Sequence, residues 1–277
     1  MPNWVQNTIR VTENIEKFKE VFIPNGEIDF NRIIPMPEDL DIQSGGSSYK
    51  PNKAGYNATD FGIVDLLEPL WNRTYTDNVS QADFKQAILD NFLSNSFLMQ
   101  KAKDLYSWFK DDNKVVDYIK DDIEIKSLGY FNYKRYGFVD WYQFKNEKWG
   151  TKWNVNNDET YIIENTRGLF VTFKTAWGIP FGILSKLAEQ FSFSVLFADE
   201  DRGYNMGIVH FTKGNTETVG LDEFEDVTDQ NERYAIANII WGDDYDITSE
   251  ELEDIGYEPI SEDRYDELYG LVAPYLP

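Results

Sequence analysis

The sequence predicts an α+β sandwich: an antiparallel sheet with helices on one face, carrying a helical insertion and an acidic helical C-terminal extension. Three observations predict it. Residues 4–12 and 169–175 alternate apolar and polar side chains at the period of a half-buried strand. Each run is followed by apolar positions at helical spacing, Ile15, Phe18 and Phe22 in the first case and Ile183, Leu184, Leu187 and Phe191 in the second. Residues 217–277 combine dense negative charge with Tyr234, Ile236, Ile239, Ile240 and Trp241, which need a surface to pack against.

The elements follow in order. In the first strand Val5, Asn7, Ile9 and Val11 share one face, and Gln6, Thr8 and Arg10 the other. Thr12 and Asn14 are both suited to cap the helix that follows. Ile28–Ile34 reads as a second extended piece, stopped by Pro35-Met36-Pro37, since proline cannot donate to a ladder. Residues 41–60, with Gly45-Gly46-Ser47-Ser48 and Pro51, read as a loop. Ser80 with Asp83 resembles a capping box ahead of Phe84, Ile88 and Phe92, and Leu98, Ala102, Leu105 and Phe109 continue the helical spacing. From residue 161 the pattern returns to strands. Pro180 sits where a first helical turn tolerates it. Phe193, Val195 and Phe197 form a strand, Asp199 to Gly203 a turn, and Met206 to Thr212 pairs back as a hairpin. In the acidic end Thr248 with Glu251 is a second capping box before Leu252, Ile255 and Gly256. Ser261 caps a last helix carrying Tyr265, Leu268 and Val272. Strand–helix–strand, an insertion, then strand–helix–strand is the pattern of a ferredoxin-like sandwich. Residues 1–216 form the body, with 62–127 inserted between its halves, and 217–277 form acidic helices docked on it.

Charge is unevenly placed. Residues 217–277 hold 19 Asp and Glu against Arg233 and Arg264, a local net of −17. The whole chain carries −23, which leaves −6 for residues 1–216. A field of this sign repels nucleic acid and anionic membrane and attracts basic protein surfaces. Hydrophobic content of 42% and aromatic content of 16% are too high for a disordered chain. No apolar run is long enough to span a bilayer, and Met1-Pro2-Asn3-Trp4 has neither the basic nor the apolar region of a secretion signal. There is no cysteine, which excludes disulfides, thiolate metal sites and cysteine nucleophiles. A cytoplasmic location is expected.

Several segments occur in an order that resembles a known family. They are Met1-Pro2-Asn3-Trp4 with Asn7, Ile34-Pro35-Met36-Pro37-Glu38, Trp149-Gly150-Thr151-Lys152-Trp153, and Thr175-Ala176-Trp177 with Pro180. Together they resemble the Api92-like, YubB-type proteins of phages and conjugative plasmids, which have a ferredoxin-like domain. The resemblance covers about residues 1–40 and 145–210. This chain has Glu147-Lys148 where the family usually has Asn, and Val5 where it has a small residue. The resemblance implies a mobile-element origin and a fold, and no mechanism.

Catalytic signatures are lacking. The single histidine, His210, shares a strand face with Met206 and Ile208 and reads as structural, and no Gly-x-Ser-x-Gly surrounds any serine. There is no Walker A and no Gly-x-Gly-x-x-Gly. Asp199, Asp201 and Gly203 fail the EF-hand register. Asp243, Asp244 and Asp246 have the chemistry for Mg²⁺ or Ca²⁺, but acidic runs are ordinarily solvated. No metal and no cofactor is expected, and the chain reads as a non-enzyme.

Two candidate binding sites remain. The tryptophan segments have two readings. Trp4, Asn7, Trp149, Lys152, Trp153 and Trp177 could form an aromatic, cationic pocket for a nucleotide-like ligand or single-stranded nucleic acid. Alternatively they are neighbouring core pieces whose indole N–H groups bond backbone carbonyls. Lys152, between two tryptophans, is the residue packing explains least. The second candidate is the acidic end. Asp243, Asp244, Asp246, Glu250, Glu251, Glu253 and Asp254, with Glu262, Asp263, Asp266 and Glu267 on the last helix, are expected to meet a partner. Tyr245, Tyr257, Tyr265 and Tyr269 interleave them, and aromatics supply contact area. The expected partner is a host protein with a basic, nucleic-acid-binding or defence-related surface, blocked by nucleic-acid mimicry. Direct duplex binding is not expected.

Overall fold

The computed structural model describes residues 3–42, 44, 79–105, 112–200, 204–215, 219–221, 224, 227–242, 256 and 259–277. In chain order its elements are β1 (Trp4–Val11), α1 (Ile15–Phe22), the single turn α2 (Phe30–Ile33), α3 (Gln81–Ser94), α4 (Ser96–Leu105), α5 (Asp112–Tyr136) and the turn α6 (Trp141–Phe144). Then come β2 (Tyr161–Asn165), β3 (Gly168–Ala176), α7 (Phe181–Ala188), β4 (Phe193–Asp199), β5 (Met206–Phe211), β6 (Val219–Leu221), α8 (Gln230–Trp241) and α9 (Glu262–Val272). They form two compact units, Met1–Pro35 with Lys145–Pro277, and Met36–Phe144.

In the first unit β1 is the central strand. It pairs antiparallel with β3 on one side and β4 on the other, in the sheet order β2-β3-β1-β4-β5-β6. β1, α1, β2, β3, α7 and β4 are therefore two interleaved strand–helix–strand halves in the order β2-β3-β1-β4, the ferredoxin-like arrangement. Residues paired across strands share a face. One face carries Val5, Asn7, Ile9 and Val11 beside Thr175, Phe173, Val171 and Leu169, and beside Phe197 and Val195. Onto it α1 sets Phe18, whose ring lies 5.2 Å from Phe191, and Phe22, 5.9 Å from Phe173. α7 buries Ile183, Leu184 and Leu187.

The other face is covered by the acidic end of the chain. Leu196, Ala198, Met206 and Ile208 form one buried cluster with Ala235, Ile236, Ile239, Ile240 and Trp241 of α8 and with Leu268 and Val272 of α9. Trp241 Nε1 donates to the carbonyls of Ala198 and Asp199, 3.1 and 3.2 Å away, and Gln6 Nε2 donates to the Ile240 carbonyl. The unit is thus a sheet between two helical layers, and the acidic region supplies the second. Burying a Leu or Val side chain contributes about 1.5–3 kcal/mol, so α8 and α9 contribute as core elements as well as carriers of charge.

Two sequence expectations are corrected. Ile28–Ile34 is no strand. Asp29 caps the turn α2 by accepting from Asn31 N, 2.9 Å away. Asparagine side chains take the hydrogen bonds a ladder would have supplied: Phe30 N donates to Asn154 Oδ1 (3.0 Å), and Ile28 exchanges bonds with Asn157 (2.8 and 3.1 Å). The partner of α1 is instead β2, an edge strand at Tyr161–Asn165. The helical stretch consequently interrupts the first half, between α1 and β2, and does not separate the two halves.

In the second unit Ser80 caps α3 by accepting from Asp83 N, and Phe84, Ile88 and Phe92 are buried, as the spacing predicted. Phe84 packs on Phe131 of α5 at 5.6 Å. A polar knot closes one end. Asn132 Nδ2 and Gln81 Nε2 both donate to the Asp39 carbonyl, at 2.7 and 2.8 Å, and Tyr136 donates to the Asp39 carboxylate at 2.7 Å. Of the expected loop over 41–60, residues 43 and 45–60 lie outside the described residues. So do residues 62–78, Phe109, the turn residues 201–203, and the capping box of Thr248 and Glu251.

Candidate functional site

The Trp149–Trp153 segment takes its shape from a π-turn over Lys145–Trp149, closed by Gly150 N donating to Lys145 O at 3.1 Å. Gly150 leaves that turn at φ 85°, a left-handed conformation glycine adopts without penalty. A side chain there would meet Phe181 N at 2.7 Å. The turn buries Trp149, 2% exposed, whose Nε1 donates to Ile34 O at 2.9 Å and whose ring meets Phe30 edge-on at 5.9 Å. Thr151 then locks the segment to the end of β3. Its Oγ1 accepts from Ala176 N (3.1 Å) and donates to Ala176 O (3.0 Å).

Asn7 lies beneath this junction and is fully buried. Its Nδ2 donates to Val5 O (2.9 Å) and Thr175 Oγ1 (2.8 Å), and Oδ1 accepts no hydrogen bond. Thr175 Oγ1 in turn donates to Gly178 O at 2.8 Å, which holds the turn after β3. Trp149 and Asn7 therefore belong to the framework under the surface. The other four residues named from sequence make contact with one another. Trp4 and Trp153 have ring centroids 5.9 Å apart. Lys152 Nζ lies 4.4 Å from the Trp153 ring and 4.9 Å from the Trp177 ring. Each such contact at a partly exposed site contributes about 0.5–1 kcal/mol. Trp177 is 46% exposed and sits at φ 69°, its N–H donating to Asn3 O at 2.8 Å. A left-handed backbone at a bulky residue is a true outlier. No sequence signal pointed to it.

The second locus is α9. Ser261 caps it by accepting from Arg264 N at 3.3 Å, in agreement with the sequence. Leu268 and Val272 are fully buried, and Arg264 grips Glu232 of α8 with two hydrogen bonds, Nε–Oε1 at 2.7 Å and Nη2–Oε2 at 2.8 Å. Glu267 meets the same guanidinium at 2.6 Å. The hydrogen bond from Arg264 holds the Glu232 carboxyl below its ordinary value, and those carboxylates push Arg264 upward. The outward face carries Glu262, Asp263, Asp266 and Glu267, all exposed, with Tyr265, Tyr269 and Leu271 between 42% and 48% exposed. Asp243, Asp244, Asp246, Glu250, Glu251, Glu253 and Asp254 lie outside the described residues.

Among the described residues neither locus contains a catalytic constellation. His210 and Ser194 are direct cross-strand partners, Nδ1 to Oγ 2.8 Å, in mid-strand and without the turn that lifts a nucleophilic serine from a sheet. Among the described residues no three His, Asp or Glu side chains gather at metal-binding spacing, and no described helix is long and apolar enough to cross a membrane.

A β2-β3-β1-β4 antiparallel sheet backed by α1 and α7 defines a ferredoxin-like α+β domain. Residues 148–239, about a third of the chain, match the family model of the ferredoxin-like domain in Api92-like protein, in keeping with the fold just described. The match spans the Trp149–Trp153 segment through most of α8; β1, α1 and α9 lie beyond it. No curated protein and no solved structure matches the chain significantly.

Proposed function

We propose that this chain is a phage- or plasmid-encoded, non-enzymatic binding protein of the host cytoplasm. It docks on a basic, nucleic-acid-handling or defence-related host protein and blocks the surface where nucleic acid binds. The outward face of α9 carries this reading. Its four carboxylates are spaced by a helix that two buried side chains and an Arg264–Glu232 fork hold in place. Fixed carboxylates substitute for phosphates on a cationic surface, and Tyr265, Tyr269 and Leu271 add apolar contact area.

The test neutralises charge and keeps the layer. In Glu262→Gln/Asp263→Asn/Asp266→Asn the α9 anchors and Glu267 remain. Wild-type protein is titrated into purified basic DNA-binding host proteins carrying a fluorescent duplex. It should release the duplex, less so as salt rises, and the triple variant should require at least about tenfold more protein. Equal release by both proteins, or none by wild type across the set, removes this reading.

A nucleotide-like ligand or single-stranded nucleic acid at the Trp/Lys cluster is the second reading, favoured by the exposed ring of Trp177, on which a base can stack. Its signature is a tryptophan fluorescence response to uridine monophosphate or oligo(dT) that Lys152→Ala abolishes. A flat titration with both ligands excludes it.

A further inference from the structure

Lys152 fills the space between two indoles. Its ammonium is 4.4 Å from one ring centroid and 4.9 Å from the other, both inside the range of a cation–π contact. Indole faces carry negative potential, so two faces converging on one point define a slot for a compact cation. The ring of Trp4, which packs against the α8–α9 cluster, lies 5.9 Å from Trp153 and adds to the aromatic surface. The slot opens to solvent along Trp177, nearly half exposed. The same residue is held at φ 69° between two anchors, the Trp177 N–H to Asn3 O bond and the Thr175 Oγ1 to Gly178 O bond, both 2.8 Å. Strain of this kind persists only where the surroundings impose it, and it concentrates at ligand clamps. The long-range field adds a sign. The chain carries −23, and even residues 1–216 carry −6, which draws cations toward the molecule and repels phosphates.

We infer that the Trp153–Trp177 slot is a binding site for the alkylammonium group of a lysine on a basic partner, and that Lys152 is a tethered occupant which such a group displaces. This deepens the docking reading, resting on it only for the source of the lysine; the slot is tested without any partner. A tethered group competes at an effective concentration in the millimolar range, so the wild-type slot is self-blocked. Removing the tether therefore strengthens cation binding, whereas a phosphate or nucleobase site that uses Lys152 is weakened by the same change. The sign of the effect separates the two occupants.

The probe is n-butylammonium, read by intrinsic tryptophan fluorescence in the full-length protein, with n-butanol as the uncharged control and uridine monophosphate as the anionic one. Lys152→Ala should bind n-butylammonium about tenfold more tightly than wild type. Lys152→Gln, which keeps a polar stem and drops the charge, should shift in the same direction. Adding Trp177→Gly, which suits the left-handed backbone and removes one wall, should abolish the gain. Unchanged or weaker n-butylammonium binding in both Lys152 variants overturns the inference. So does an equal response to n-butanol, which marks a plain apolar crevice, or a uridine monophosphate response that depends on Lys152. The α9 triple variant leaves the slot intact, so loss of docking there with unchanged n-butylammonium binding faults neither the slot nor its occupant.

Discussion

A methyl group on Gly182 would stand 1.9 Å from the carbonyl oxygen of Lys148 and 2.8 Å from its carbon. Both are backbone atoms of the π-turn, so they yield only if the turn or the start of α7 moves. Gly182→Ala should therefore destabilise the protein by about 1–3 kcal/mol, as overpacking does. Denaturant unfolding measures it, and a loss below 0.5 kcal/mol (roughly the surface-mutation range) would mean that α7 is not seated on the turn. The same contact explains what was legible here in the sequence and what was not. Trp-Gly-Thr-Lys-Trp stands out as a segment, and Lys152 stands out within it. Its division into a buried Trp149, a Thr151 that clasps β3 and an outward Lys152 depends on the π-turn, and a π-turn has no sequence period. Trp177 is legible as a candidate but its conformation is not, since nothing in Thr-Ala-Trp announces a left-handed backbone at a tryptophan.

Among the elements, α9 was the most readable because its signals are local: Ser261 at the cap, then Leu268 and Val272 one helical turn apart. Its attachment was not readable, because Glu232 and Arg264 are far apart in sequence. That attachment has a pH dependence whose sign follows from the shift. Glu232 is held below its ordinary value of 4.5 by the Arg264 hydrogen bond. Its contribution is complete above that value and is lost as pH falls through the lowered one. The stability difference between wild type and Glu232→Gln should thus be largest near neutrality and shrink as the pH is taken below 4.5; a difference that grows with acid would contradict the fork. The segment 28–34 shows the opposite case. Its apolar content suits a strand, and only the distant Asn154 and Asn157 side chains reveal why a turn forms there. β2 is an edge strand with Tyr161, Ile162 and Ile163 all exposed, so it carries no alternation to detect.

For the molecule as a whole, the charge and the core of residues 217–277 act in opposite directions. The ferredoxin-like sheet was visible from its periodicity. The covering of its second face was visible only as apolar residues that lacked a partner, since which face they meet is a property of the fold. Removing 217–277 would uncover Leu196, Ala198, Met206 and Ile208, a continuous apolar patch of the kind that leads to association. Truncation therefore cannot test docking, and the truncated chain should bind a hydrophobic dye or aggregate; a monomeric, dye-silent truncation would show that α8 and α9 are dispensable to the core. The net charge of −23 works against the same layer, because a chain this acidic, with 19 carboxylates in the sequence of residues 217–277, repels itself when it folds. Screening relieves that repulsion, the Debye length falling from about 10 Å at 0.1 M salt to about 3 Å at 1 M. Thermal stability should accordingly rise with sodium chloride over this range, while duplex release through α9 weakens. The two responses have opposite signs because one is repulsion within the chain and the other attraction between chains. A melting temperature that falls with salt would mean that ion pairs such as Arg264–Glu232 outweigh the self-repulsion of the acidic end.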